Sequence, residues 1–250
     1  MSGDTYLRSL LTQHQVNAVG AQAAGNLLFP TLQRWGGSHL VKAEFSGSLA
    51  KGTAVSLSTD ADIFLSLSSS TPGTLAEMYS SLFSAVRAAG LQARQQNVSI
   101  GTVVNGYSID LVPGRRQSQH GNGHSLYRSK ANSWTLTNIT TQVNLVAGSG
   151  RSEEIRILKI WRTRHGLEMP SFYLELATLD ALYNASVGDL AANVWRVLQH
   201  LRDNIQSARY VDPANTNNVI SDDCTASEKA AIAAKARQSL LKKTWSEVVW

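Results

Sequence analysis

Three aspartates in this sequence are spaced and framed for chemistry on charged oxygen. Asp60 and Asp62 stand one residue apart at the head of the apolar run ADIFLSL. Along a strand, residues i and i+2 face the same side, so the two carboxylates point together and repel each other. A cation between them relieves that repulsion. A third acid, Asp110, falls in YSIDLVP, a second strand-like run. Carboxylates converging from neighbouring strands supply hard oxygen ligands for Mg²⁺, and a two-metal site needs such a set. Ahead of the pair lies Gly47-Ser48, a small-residue turn leading into LAKGT, which reads as one short helical turn. A turn of this kind presents backbone N–H groups that can cradle phosphate.

The elements that must hold these residues are legible on either side of them. VKAEFSG (41–47) alternates like a strand that ends at the turn, and DADIFLSL (60–67) is the next strand. VSIGTVV and YSIDLVP flank Asn105-Gly106, the strongest short-range hairpin signal. Leu75, Met78, Leu82 and Val86 fall at helical spacing with Gly90 just beyond, which predicts an amphipathic helix over 72–90. From Asp4 to Trp35 the apolar residues predict one long helix bent at Pro30. The basic, glycine-bearing stretch 113–134 reads as a long surface loop. Helical periodicity then recurs near 137–148, 152–165, 171–184, 187–207 and 225–246, the last opening with the capping box Thr225-x-x-Glu228. The pattern is α+β: an N-terminal helix (1–35) bridging both lobes, a mixed-sheet lobe (36–135) and a helical lobe (136–250).

With 250 residues, 43% of them hydrophobic, the chain can bury one large core or two packed ones, which excludes a disordered tail. The net charge of +5 suits polyanionic partners such as nucleotides or nucleic acid. One cysteine, Cys224, excludes an internal disulfide framework and suits a reducing compartment. No run of eighteen apolar residues occurs, and MSGDTYLRSLL has neither the basic nor the apolar region of a signal peptide. The expectation is a soluble cytoplasmic protein with no membrane partner.

The stretch GSLAKGTAVSLSTDADIFLSL (47–67), taken with Asp110, resembles the signature of the nucleotidyltransferase superfamily that includes DNA polymerase beta. In that signature a Gly-Ser turn precedes Asp-x-Asp in a strand, and a third Asp follows. RILKIWRTRHGLEMPSFYLELATLDAL (156–182) is similar to the helical lobe of the bacterial cyclic GMP-AMP synthase/DncV-like nucleotidyltransferases (CD-NTases) and of oligoadenylate synthases. YVDPANTNNVI (210–220) looks like the Asp-Pro…Asn-Asn segment of the same groups.

The resemblance implies a polymerase beta-like lobe with a mixed sheet, packed against a helical lobe. It implies that Asp60, Asp62 and Asp110 are catalytic and ligate Mg²⁺ or Mn²⁺. Gly47, Ser48, Lys159 and Ser171 would hold the triphosphate, and Phe172 or Tyr173 would stack on a base. The implied activity is phosphodiester synthesis from NTPs with release of pyrophosphate. Its product would be a cyclic or linear oligonucleotide second messenger of anti-phage (CBASS) signalling, with RNA or a regulatory protein as a further partner. The alternatives are a tRNA nucleotidyltransferase of the archaeal CCA-adding type and a non-catalytic nucleotide- or RNA-binding relative.

Some of these residues make demands of their own. Lys159 lies in the apolar helix ILKIW, where an ammonium needs an anionic partner or a path to solvent. Ser171 opens an apolar helix as an N-cap would, and a helix N-terminus is also an anion site. His120 and His124 have the spacing of zinc ligands on a helix, but the glycines between them argue against a helix there. Arg115, Arg116, Arg128 and Lys130 make the 113–134 stretch a solvated loop, a lid near an acceptor nucleotide or a nucleic-acid contact.

Overall fold

The computed structural model describes residues 2–57 and 60–250. Its helices are α1 (Gly3–Gln13), α2 (Ala18–Asn26), α3 (Phe29–Gly36), α4 (Gly47–Ala50), α5 (Leu75–Ala88), α6 (Ile139–Ala147), α7 (Ser152–Arg164), α8 (Ser171–Ala181), α9 (Leu190–Asn204) and α10 (Ala226–Leu240). Its strands are β1 (Leu40–Phe45), β2 (Ala61–Leu67), β3 (Ala93–Gln95), β4 (Ile100–Val104), β5 (Tyr107–Arg116), β6 (His124–Arg128), β7 (Ser133–Thr137), β8 (Val211–Asp212) and β9 (Asn215–Val219). They form two compact units. The described parts of Asn17–Lys51 and Thr59–Val143 make a sheet unit, and those of Met1–Val16, Gly52–Ser58 and Asn144–Trp250 a helical unit.

In the sheet unit the strand order is β1-β2-β5-β4-β3, with β6 also on β5 and β7 on β6. β2 and β5 run parallel, and the other pairs are antiparallel. Ten-residue β5 serves both partners on one side, pairing β4 through its first half and β6 through its last three residues. The alternation read in the sequence sorts β2 by face. Ile63 and Leu65 join Leu111, the helical residues Leu32, Leu82 and Val86, and Leu28 just ahead of α3 in the unit's core. Asp62, Phe64 and Ser66 therefore share the opposite face. At the β4–β5 hairpin both Asn105 (φ 49°) and Gly106 (φ 80°) take left-handed backbone, the requirement of a type I′ turn. α5 starts at a capping box, Thr74 with Glu77.

Two expectations need correction. Residues 1–35 are not one helix bent at Pro30 but three helices. Asn17 breaks the run by capping α2, its side chain accepting from Gly20 N–H, and Pro30 lies in the first turn of α3, where its missing N–H is no loss. Moreover α1 belongs to the helical unit, with Leu7, Leu10 and Leu11 in that core, while α2 and α3 belong to the sheet unit. The stretch 113–134 is likewise not one long loop. β5 continues to Arg116, and β6 pairs back onto it through Gly114–Leu126 and Arg116–His124. Its polar composition reflects strands with a polar face, not absence of structure.

The helical unit packs α1 and α7–α10 around Trp161, Tyr173, Leu174, Val197, Leu201 and Ala236, all essentially inaccessible to solvent. α10 carries the capping box read at Thr225 and Glu228. The segment YVDPANTNNVI forms the β8–β9 hairpin. At its turn the buried Asp212 accepts from Ala214 N–H at 2.8 Å.

Candidate active site

Parallel pairing sets Asp62 of β2 directly beside Asp110 of β5, in register and on one face. Neighbouring strands lie about 4.8 Å apart, so the two backbones hold these carboxylates side by side. Asp60, exposed at the entrance to β2, adds a third acid whose charge acts on Asp110. Burial pushes the Asp110 carboxyl above its ordinary range, the Asp60 charge raises it further, and Ser99, Gln96 and Arg94 pull the other way. Gln96 Nε2 donates to Asp110 Oδ1 at 3.0 Å, and Ser99 Oγ lies 3.4 Å from Oδ2 and 2.7 Å from Gln96 Oε1. The buried Tyr79 hydroxyl anchors this bracket by donating to the Gln96 carbonyl at 2.6 Å.

The Gly-Ser turn packs onto the same acids. Ser46 N–H donates to the Asp62 carbonyl at 2.8 Å, and Gly47 then turns with φ +57° into α4. A Cβ at Gly47 would lie 2.5 Å from Asp62 Cγ and run into its Oδ2. Glycine is thus required twice, by the backbone conformation and by the carboxylate beside it. The amides of Gly47, Ser48 and Leu49 open the helical turn, where no intrahelical carbonyl can take them.

A donor set of three carboxylates suits a hard divalent cation, with no histidine or cysteine to favour a softer one. Among the described residues no group of three acid, histidine or cysteine side chains is closed to metal-ligand distance. Asp62 and Asp110, on adjacent strands beside the glycine turn, and Asp60 at the entrance to β2 are the residues that could hold the ion.

The other expected residues lie together in the helical unit. The anionic partner that Lys159 requires is an internal one. Its ammonium, 2% exposed, meets Glu175 Oε1 at 2.7 Å and Thr53 Oγ1 at 2.9 Å, and Glu175 is itself 1% exposed. In this structure the Lys159 ammonium is engaged with Glu175 and Thr53. The sequence signal was a lone acid in an apolar helix, SFYLELATL, matching the lone base in ILKIW. Ser171 is exposed at the first position of α8, whose N-cap is Pro170 and has no capping side chain. Arg162 Nη1 donates to Ser171 Oγ at 3.1 Å and to the Met169 carbonyl at 2.7 Å. Burial lowers the Arg162 pKa against the pull of Glu175 and Glu168, so the group gains from a further anion. Both residues line a cavity of about 540 Å³ shared with Glu168, Asp223 and Glu228. Phe172 is half-buried against the core. Tyr173 is fully buried with its hydroxyl on the Ile205 carbonyl, a core aromatic and not a base-stacking one.

His120 and His124 are not a metal pair. His124 is buried in β6, with Nδ1 on the Asn122 carbonyl at 2.9 Å and Nε2 on Ser66 Oγ at 2.8 Å, while His120 is exposed. Arg115 and Arg116 are also engaged, with the Gly73 carbonyl and with Ser66 Oγ. Gln96, Ser99 and Glu175 carry no signal in the sequence because each matters only through a partner on another element of the fold.

No protein-family model matches the chain, and no curated protein matches it. The fold is that of the polymerase beta-like nucleotidyltransferases. Its structural neighbours include bacterial CD-NTases. CdnG of Bradyrhizobium diazoefficiens, solved in complex with GTP, superposes with a TM-score of 0.81 at 13% identity over 100% of this chain and 95% of that one. CdnC of E. coli MS115-1, solved with ATP, gives 0.78 at 19% identity over 96% and 90%, and CdnC is also known in complex with HORMA-deltaN. The Cid1 poly(U) polymerase, bound to MgATP, gives 0.69 at 11% identity over 94% and 92%.

Proposed function

We propose that this protein is a metal-dependent nucleotidyltransferase of the CD-NTase kind. It joins NTPs into a cyclic or linear oligonucleotide second messenger, with the anti-phage signalling role that this kind implies. The observation that carries the reading is the in-register pair Asp62 and Asp110 with Gly47 packed against Asp62. An acceptor hydroxyl attacks the α-phosphorus of an NTP. A P–O bond forms, the α–β bridging bond breaks, pyrophosphate leaves with the electron pair, and the hydroxyl proton passes to water. Mg²⁺ or Mn²⁺ held by Asp60, Asp62 and Asp110 would supply charge stabilisation for the α-phosphate and the leaving group.

The chain's own residues do the positioning. The amides of Gly47 and Ser48, which open α4, receive phosphate oxygen, and Gln96 with Ser99 fixes the Asp110 carboxylate. Ser171 and Arg162 form a second phosphate-binding element in the helical unit, with Phe172 placed for the base. Lys159 acts from behind, its pairing with Glu175 tying α7 to α8 beneath Ser171. A regulatory protein partner fits this reading, given the HORMA-deltaN complex of CdnC.

A second reading, nucleotide addition to RNA, is favoured by the likeness to Cid1 poly(U) polymerase and includes the CCA-adding alternative. One experiment separates them. The protein is incubated with four α-³²P NTPs and Mg²⁺ or Mn²⁺, with and without tRNA, and phosphatase-treated products are resolved by thin-layer chromatography. Phosphatase-resistant small products without RNA are expected, and Asp60→Asn or Asp62→Asn abolishes them while leaving the circular dichroism spectrum intact. Label found only in tRNA supports the second reading. Full activity in either Asn variant refutes the metal-site assignment.

A further inference from the structure

Asp110 is held by a turn that is itself held from elsewhere. The β3–β4 turn closes with Gln96 N–H on the Ser99 carbonyl at 2.9 Å, and its Gln96 side chain donates to Asp110 Oδ1 at 3.0 Å. The Gln96 carbonyl takes two hydroxyls, one for each lone pair: Tyr79 of α5 at 2.6 Å and Ser129 Oγ at 2.7 Å. Ser129 also donates its N–H to the Asn97 carbonyl at 2.8 Å, and Lys130 N–H lies 3.4 Å from Asn97 Oδ1. Ser129 thus grips two successive residues of the turn from far along the chain.

Strand register explains why Ser129 arrives there. β4 and β6 use the same edge of β5 in succession, β4 as far as the Ile100–Leu111 pair and β6 from Arg116–His124 to Gly114–Leu126. Two residues past Leu126, Arg128 reaches the level of Val112, next to the place where β4 begins. The chain therefore leaves that line through the 3₁₀ turn Ser129–Ala131, against the β3–β4 turn. Asn132 then takes left-handed backbone (φ 43°) to start β7, and its Oδ1 accepts from the Tyr127 hydroxyl at 2.8 Å. The Tyr127 ring packs edge-on against Tyr79, with centroids 5.5 Å apart. One of the two hydroxyls on the Gln96 carbonyl thus belongs to the β6–β7 hairpin, and the other packs on it.

We propose that Ser129 is a positioning residue for nucleotidyl transfer: by holding the backbone of Gln96 it fixes the direction from which the Gln96 amide meets Asp110. The inference rests on the transfer reading and adds to it a residue of the basic stretch 113–134 that touches none of the acids. Gln96 reaches Asp110 through a flexible side chain, so its amide is only as well placed as the backbone it starts from. A carboxylate that loses this bond turns about its own side-chain axis, and misplacing a reacting group is costly in rate. Tyr79 keeps its own bond to the Gln96 carbonyl, so loss of the Ser129 hydroxyl loosens the turn without unfolding it.

The test is a double-mutant cycle. Ser129→Ala lowers kcat for transfer from NTPs by about threefold to tenfold, the worth of one hydrogen bond, while KM stays near the wild-type value. Ser129→Thr keeps the hydroxyl and restores most of the rate. Gln96→Ala removes the amide that Ser129 acts through, so adding Ser129→Ala to it lowers kcat no further, although the double variant still melts below Gln96→Ala. The metal-free protein gives a readout without turnover. The Gln96 side-chain amide shifts, followed by ¹H–¹⁵N NMR, move toward those of an exposed amide in Ser129→Ala and return in Ser129→Thr. A kcat unchanged in Ser129→Ala, or lowered as much with Gln96→Ala as without it, overturns the positioning role and leaves the transfer reading standing. Unmoved Gln96 amide shifts overturn the positioning role as well. A wild type that makes no product from NTPs overturns the transfer reading and the role with it.

Discussion

Replacing Gly47 by alanine tests the link between the turn and the acids more sharply than removing an acid. The substitution has two separable costs. Holding a non-glycine residue at φ +57° costs about 1–2 kcal/mol. For a chain of this length, about 2–4 °C of Tm goes with each kcal/mol, so the strain lowers Tm by about 2–8 °C. The second cost is positional. The new Cβ would lie 2.5 Å from Asp62 Cγ, where carbon atoms settle at about 3.5 Å, so the carboxylate must retreat by about 1 Å. A displacement of that size in a reacting group costs on the order of 10²-fold in rate.

Gly52→Ala supplies the control. Gly52 has φ +69°, but a Cβ there meets nothing within 4 Å. It carries the strain without the collision. The assays are thermal unfolding, Mn²⁺ affinity by calorimetry, and nucleotide transfer. Both variants lose Tm by similar amounts, whereas only Gly47→Ala loses Mn²⁺ binding and about 10²-fold in transfer. If Gly47→Ala binds Mn²⁺ and transfers as Gly52→Ala does, the turn does not position Asp62 and the reasoning fails.

Other residues make further tests. Lys159→Met strands the buried Glu175 carboxylate and costs about 3–5 kcal/mol in urea unfolding; Lys159→Met with Glu175→Leu recovers most of it, because the desolvation of both charges is removed together. Burial, helped by the Arg116 charge, lowers the His124 pKa against the pull of the Asn122 carbonyl and Glu44. A base depressed in the folded state contributes stability that is full above its unfolded pKa of about 6.5 and is lost as pH falls from there through the depressed value. His124→Gln therefore flattens the acid side of the stability–pH curve relative to wild type, and an unchanged slope counts against a neutral buried imidazole. Thr225→Ala removes the α10 cap and lowers unfolding stability by about 1 kcal/mol, and a change within error means the capping bonds are not formed in solution.

What could be read from the sequence, and what could not, divides by the range over which each residue's meaning is set. Gly47, Asp60, Asp62 and the Asn105-Gly106 hairpin declare themselves over a few residues, since a turn conformation, a strand alternation and a repulsion between i and i+2 are local facts. Asp110 was placed in the next strand by the same hairpin, and its pairing with Asp62 followed once β2 and β5 ran parallel. Lys159 shows the opposite case. Its apolar surroundings announced that an anion was needed but not which one, and Glu175, sixteen residues away on another helix, answers from inside the fold. His124 and Arg116 looked like loop residues because polarity was taken for exposure, whereas Ser66, fifty-eight positions before His124, satisfies both. The run from Asp4 to Trp35 divides into three helices for a related reason. Periodicity detects a helical face but not the cap that ends one helix and starts another, nor which core that face will join. Motif chemistry can therefore be read along the chain, whereas the partner of a buried charge is decided across it. Positions such as Gln96 and Arg94, whose significance is wholly in what they neighbour, become visible only when strand register is known.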